Sequence, residues 1–441
     1  MTDIGYYAEK AMQAAREYAQ SEAYVSEAVI NTVYIDDSKI SNIETKLDSG
    51  LMIRIADGGR QGKASVTLNG EPSVKECMGM AESVLRYSPE STEFKGYAQP
   101  GQAKIARPDV WDRRVEDITP ENLREMAKAL IDSCPVNIPR AQIRVSTNDC
   151  RVINGNGVDC VHRSTLVYGH FTSMTVEEHP GEGMETYHGT HLDIDMESIG
   201  ESLAHQARSA ASAHEFKGSE RLSMILPPGQ LGDMINSSVV AAVNGENVKY
   251  GRSMWKDSIG DQVASEQLTL VDDPTVPAPL SCVFDDEGTP TDKRTVIEGG
   301  VLKSFLRDSF CGDSTGNGMR RSSVEAMGAY ERTPVIKALN VTVRPGRYDR
   351  DQIVAQTDRG ILVERFAWPE ADGMTGRFGL NVRCGYIIRN GEIVDTINNA
   401  LLMGNMLDCV RNVELVGNDL RQMGVVTVPT MSFSGTELVG N

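Results

Sequence analysis

LMIRIADGGRQGKASVTLNGEPSVKECMGMAESVLRY, residues 51–87, decides the fold class. Leu51–Ala56 alternates as a half-buried strand does, Asp57-Gly58-Gly59 turns the chain back, and Lys63–Leu68 returns as a second strand. Asn69-Gly70 interrupts the pattern. From Pro72 to Tyr87 the apolar residues Val74, Cys77, Met78, Ala81, Val84 and Leu85 then fall on one helical face. A strand period of two gives way to a helical period of about 3.6, so the stretch predicts an α+β chain.

The flanking sequence has the same mixed character. Tyr6–Ala19 is rich in helix formers and free of Gly and Pro, and the β-branched run Ala28–Ile35 predicts a strand. Thr119-Pro120 is a capped helix start, and Leu123, Met126, Ala127, Leu130, Ile131 and Cys134 keep helical spacing until Pro135. Ile143–Val176 holds two or three strand-like runs broken by Asn154-Gly155-Asn156-Gly157, and Met196–His214 reads as a helix. After Pro227-Pro228 one more helix fits Leu231, Met234, Ile235, Ser238, Val239 and Ala242, with Gly245 placed for a left-handed C-terminal cap. Beyond it the chain turns β-rich, with two-residue hairpin signatures at Gly299-Gly300 and Asn390-Gly391. The expected architecture is an N-terminal mixed α/β domain at 1–218, followed at 219–441 by a β-rich domain that is barrel-like or a large antiparallel sheet.

With 441 residues, 40% of them hydrophobic, the chain can bury more than one core. The 62 Asp and Glu outnumber the 44 Lys and Arg, for a formal charge of -18, which disfavours direct nucleic-acid binding. No export signal and no apolar run long enough to span a membrane is present. The eight cysteines are scattered without a CxxC pair, the pattern of reduced thiols in a cytoplasmic protein, although Cys150 and Cys160 could face each other on a hairpin.

All seven histidines precede residue 215, so any site in the second half works without imidazole. His188 and His191 form the one tight pair and could make a metal half-site with Glu185 or Asp193. Their segment reads as extended, however, which points positions three apart to opposite sides. His214-Glu215 begins like HExxH, but Gly218 stands where the second histidine belongs. No GxSxG elbow or Walker loop occurs. Two acidic segments, Asp272-Asp273-Pro274 and Asp285-Asp286-Glu287-Gly288, could hold a hard cation or a substrate amine, or simply form Asx-turns. Ser314–Gly318 with Arg320 and Arg321 reads as an anion nest or as a glycine-rich turn.

LTLVDDP from Leu268, FDDEGTPT, VIEGGVLKSFLRD and STGNGMRR follow one another in order, and together they resemble the TldD/PmbA (modulator of DNA gyrase) metallopeptidase family. GLMIRIADGGRQGKAS, NGNGV, RGILVE, MTGRFG, GYIIRNGEIV and VPTMSF extend the resemblance over nearly the whole chain. It implies a peptidase built from two related chains, one bearing HExxxH and a C-terminal cysteine as zinc ligands, that processes small or unfolded peptides. Here Asn236 and Ser237 stand where His-Glu would start, Ala241 stands at the second histidine, and Leu415–Pro429 contains no cysteine. The chain therefore resembles the PmbA/TldE-like side of the family. That side implies no catalytic residues and no metal or cofactor in this chain, with zinc in a TldD-like partner. The peptide would be held near Asp286, Glu287 and Gly288, and the chain could form a homodimer when alone. Two other readings stay open: a self-sufficient metallopeptidase with an atypical site at His188, His191 or the acidic cluster, and a non-enzymatic modulator of DNA gyrase.

Overall fold

The computed structural model describes residues 3–18, 20–176, 180–307 and 329–440, and the backbone alone at 319–320. The glycine-rich Ser314–Gly318 segment and the side chains of Arg320 and Arg321 lie outside the described residues.

The N-terminal part is built on a six-stranded antiparallel sheet. Its spatial order is Arg60–Thr67, Lys39–Asp57, Gln20–Asp36, Arg140–Asn154, Asp159–Met174 and Glu182–Gly189. Gly58 and Gly59, at φ 54° and 82°, make the hairpin turn that residues 51–68 predict. The central strand, Gln20–Asp36, is buried along most of its length because both faces are covered. On one face Ala23 and Val25, with Leu51, Ile53 and Ile55 of the next strand, pack against helices Ile4–Ala14 and Pro72–Tyr87. Further along that face Val33 and Ile35, with Ile143 and Val145, meet helices Pro120–Ser133 and Met196–Ala211. Thr119 and Asn122 close a capping box that starts the first of these two helices. The opposite face carries Tyr24, with Met52 and Val152 at the same register position, and it receives Tyr330 from the C-terminal half.

In the C-terminal half Ser219–Leu226, Arg359–Phe366, Arg377–Arg389, Ala400–Asn405 and Met431–Val439 close into a five-stranded barrel. Closure depends on one parallel pairing, Ser223–Ile225 on Gly360–Leu362, and on antiparallel contacts around the rest of the ring. Beside it a six-stranded mixed sheet orders Val301–Leu302, Arg294–Glu298, Leu270–Asp272, Val341–Val343, Val426–Val428 and Arg421–Met423. The helix Pro228–Ile235 and its continuation fill the space between barrel and sheet with Leu231, Met234, Ile235 and Val239 in one large core. The expected barrel-like or large antiparallel C-terminal sheet is thus present, in an α+β chain.

Two details differ from the sequence reading. Gly245 does not cap a helix in the left-handed region; it opens a new helix, Gly245–Lys249, because the Asn244 side chain accepts from the amides of Glu246 and Asn247. Cys150 and Cys160 form no bridge. Cys150 lies opposite His162 and Cys160 opposite Val152, a diagonal relation that sets Cα atoms about 7–8 Å apart, too far for a disulfide.

Tyr330 packs directly over Gly50, where an added Cβ would lie 2.2 Å from the ring. Gly50→Ala must therefore displace Tyr330, and overpacking of this kind costs about 1–3 kcal/mol. Chemical denaturation should show this loss, whereas Gly79→Ala, at a helical glycine with open space around it, should show none.

Candidate functional site

The loop after Val283 is shaped by Asp285. Its Oδ1 accepts from the amides of Glu287 and Thr289 at 3.0 Å each, and its own amide donates to the Thr289 carbonyl at 2.9 Å. These bonds make an Asx-type turn. Gly288 sits at φ 79°, seated so closely on the first sheet that a Cβ there would lie 2.2 Å from Val158 Cγ1. The turn aims Glu287 at the first sheet, and Glu287 Oε1 accepts from Arg54 Nη2 at 3.1 Å. Arg54 also donates through Nε and Nη2 to the two oxygens of Glu22, at 2.8 and 2.6 Å, in a bidentate fork. Only 12% of the Arg54 side chain and 1% of the Glu22 side chain are exposed. Burial works against the Arg54 charge, but Glu22 and then Glu287 outweigh it and hold the guanidinium firmly protonated. Tyr97 lies over Arg54, its ring centroid 4.9 Å from the guanidinium carbon.

Above this ion cluster opens a cleft of about 680 Å³, within the range of small-ligand sites. One wall is the stretch 93–102, which has neither helix nor strand. It is tied down by Gln20 Oε1 accepting from the Tyr97 amide and by the Asn154 and Asn156 side chains donating to the Ala98 and Tyr97 carbonyls. The other wall is Glu287 and Thr289–Asp292. Of the three residues singled out in the sequence, Glu287 lines the cleft, Gly288 anchors the loop against the first sheet, and Asp286 is buried beside them. Arg54 is the residue that sequence reasoning missed. Its signal, an arginine among apolar residues in a strand, becomes informative only once Glu22 and Glu287 are seen on either side.

The other candidates disperse. His188 is half-buried in the edge strand against Tyr168, and desolvation of its ring, with Arg421 nearby, pulls its imidazole down to about 4. His191 Nδ1 is 3.0 Å from Thr190 Oγ1, Glu185 pairs with Arg421 at 2.7 Å, and Asp193 pairs with Arg114 at 2.7 Å. His214 is exposed and 3.1 Å from Asp395. Asp272 is a structural carboxylate that accepts from the Leu339 and Asn340 amides, and Asp273 pairs with Lys293 at 2.7 Å. Among the described residues no group of three or more His, Cys, Asp or Glu is placed to hold a metal ion.

Positions 236, 237 and 241 lie on a turn with an unusual hydrogen-bond pattern. Asn236–Val240 is a π-helical turn inserted in an otherwise α-helical segment, a feature frequent at functional sites. In an α-helix a residue five positions on is rotated by about 140°; i→i+5 bonding brings positions 236 and 241 back toward one face. The residues at these positions do not fit a metal. Ala241 has no donor atom, and Ser237 Oγ is taken up by the Met234 carbonyl at 3.3 Å and the Ala371 amide at 3.1 Å.

A closed barrel beside a mixed sheet, a covered antiparallel sheet and a cleft lined from both halves define a two-part α+β protein. The profile described as "PmbA/TldA metallopeptidase C-terminal domain" matches residues 219–440, and "PmbA/TldA metallopeptidase domain 1" matches residues 21–84. The chain belongs to the PmbA/TldD metallopeptidase family. It is 30% identical over 268 residues to a metalloprotease TldD homolog of Buchnera aphidicola, a match spanning 56% of this chain and 54% of that protein. It is 23% identical over 459 residues to metalloprotease PmbA of Escherichia coli O157:H7, covering 97% and 96% of the two chains. The fold is that of TldE from Thermococcus kodakarensis, with a TM-score of 0.87 at 20% identity over 98% of this chain and 100% of that one.

Removing one partner of a buried ion cluster strands the others. Arg54→Met should cost about 3–5 kcal/mol in chemical denaturation, while Arg60→Met, at an exposed pair with Glu90, should cost less than about 1 kcal/mol. Asn236→His combined with Ala241→His should confer a cobalt absorption spectrum that the unmodified chain lacks.

Proposed function

We propose that this chain is the non-catalytic, PmbA/TldE-like subunit of a cytoplasmic metalloprotease. In this reading it shapes the chamber in which a TldD-like partner, holding the zinc, cleaves small or unfolded peptides. The observation that carries this reading is the π-turn at Asn236–Val240, whose paired positions bear Asn236 and Ala241 with Ser237 between them. Hydrolytic zinc needs three protein ligands, an open position and a carboxylate that takes the proton from bound water. Asn, Ser and Ala at these positions supply neither the imidazoles nor the base.

The cleft over Arg54 is the place we assign to the peptide. Glu287 lines it, Asp285 and Gly288 hold the loop that presents Glu287 with Asp286 buried beside them, and the wall at 93–102, which is neither helix nor strand, flanks the space for an extended chain. The described cysteines form no disulfide with one another, as suits a reducing compartment. No helix among the described residues is long and apolar enough to cross a membrane. A surface built to meet a related subunit can also pair with itself, so the isolated chain is expected to form a homodimer.

Peptide hydrolysis by the purified chain, by an HExxxH-bearing relative and by the co-purified pair tests the assignment. Activity is expected from the pair and not from this chain alone. Hydrolysis by the lone chain that is lost in His188→Ala would instead support a self-sufficient enzyme.

A further inference from the structure

Asp285 is fully buried, with its two carboxyl oxygens in different situations. Oδ1 accepts from two backbone amides, at Glu287 and Thr289. Oδ2 has no hydrogen-bond partner and no contact with solvent. An ionised carboxylate with one bare oxygen in such a place is expensive, far more so than a neutral acid of the same shape. The groups around it do not relieve that cost. On its own loop stand Asp286 and Glu287, both acidic. From the first sheet the Arg54 guanidinium approaches, but it is already shared between Glu22 and Glu287. From the strand Asp159–Met174 comes Cys160, whose Sγ is 3.9 Å from the Gly288 carbonyl. Burial pushes that thiol up to about 11, so it stays neutral.

We propose that Asp285 is a neutral carboxylic acid at neutral pH, and that withholding its charge keeps the loop 285–289 seated on the first sheet with Glu287 paired to Arg54. With the proton in place the loop holds one negative charge fewer at the Arg54 cluster. When the proton leaves, Asp285 and Glu287 repel across a turn that their own hydrogen bond ties together, and the lower wall of the cleft loses its seat. Burial, and then the charge of Glu287, displace the Asp285 carboxyl upward from the usual carboxylate range, in the direction the geometry requires. The native chain binds a proton that the unfolded chain has released above about pH 4, so this group makes stability fall as pH rises from there to the native titration point, and adds nothing beyond it. Asp272, also buried and raised to about 6, contributes in the same sense until it has titrated. Its contribution is common to the unmodified chain and to Asp285→Asn, so the difference between the two isolates Asp285.

The test is chemical denaturation of the full chain and of Asp285→Asn, which keeps the accepting oxygen and cannot ionise, at pH 6, 7 and 8. The unfolding constant of the unmodified chain should rise relative to that of Asp285→Asn by up to tenfold per pH unit. Hydrogen exchange in the amides of 285–291, corrected for intrinsic rates, should accelerate with pH only in the unmodified chain. An identical pH response in both proteins would overturn the proposal. If Asp285→Asn does not fold, infrared spectroscopy of the unmodified chain at pH 7 decides: a protonated-carboxyl band that bleaches on raising the pH is expected, and its absence would equally overturn the proposal.

Discussion

The arrangement depends on one buried cation. Arg54 comes from the second strand of the first sheet, and its two acidic partners come from opposite directions: Glu22 from the neighbouring strand, and Glu287 from a loop 233 residues further along the chain. An ion cluster that is almost wholly desolvated has to be satisfied geometrically or it destabilises the fold. That requirement explains the local features around it. The Asp285 turn, the left-handed Gly288 pressed on Val158, and the ties from Gln20, Asn154 and Asn156 to the 93–102 wall all serve to place Glu287 and Tyr97 against one guanidinium. The cleft is the space those constraints leave open.

Local periodicity carried much of the fold. The helix from Pro72 to Tyr87 and the hairpin at Gly58-Gly59 stand where the sequence places them, because burial pattern and turn chemistry agree there. Strand lengths were less legible. Ser41–Ser49 is polar enough to read as a loop, yet it is part of Lys39–Asp57, because from Asn42 to Ser49 it pairs residue for residue with its partner strand, past a bulge at Ser41. The barrel's closing contact, a parallel pairing of residues 223–225 with 360–362, leaves no local trace. Gly245 misled for a related reason: an asparagine before it offered a better cap for a new helix than a glycine offered for the old one.

The candidate site was legible in one half. Glu287 stood out because an acidic, glycine-containing loop between β-like runs is conspicuous, whereas Arg54 was hidden in an apolar strand whose partners are distant in sequence. The histidine pair forms no site with its acidic neighbours, because Glu185, Asp193 and His191 each have partners of their own. The π-turn was invisible to periodicity, which reads Asn236–Val240 as ordinary helix. It is nevertheless the feature on which the proposed lack of zinc ligands rests. Single π-turns within α-helices are rare and are frequent at functional sites, and family membership supplies the context in which related chains are named metalloproteases.

The account stands or falls on where the metal resides. Native mass spectrometry of this chain, alone and co-purified with an HExxxH-bearing relative, measures it directly. The account predicts a metal-free species for the chain alone and one zinc per mixed assembly, retained when Asn236 and Ser237 are replaced by Ala. One zinc per copy of this chain in isolation would contradict it.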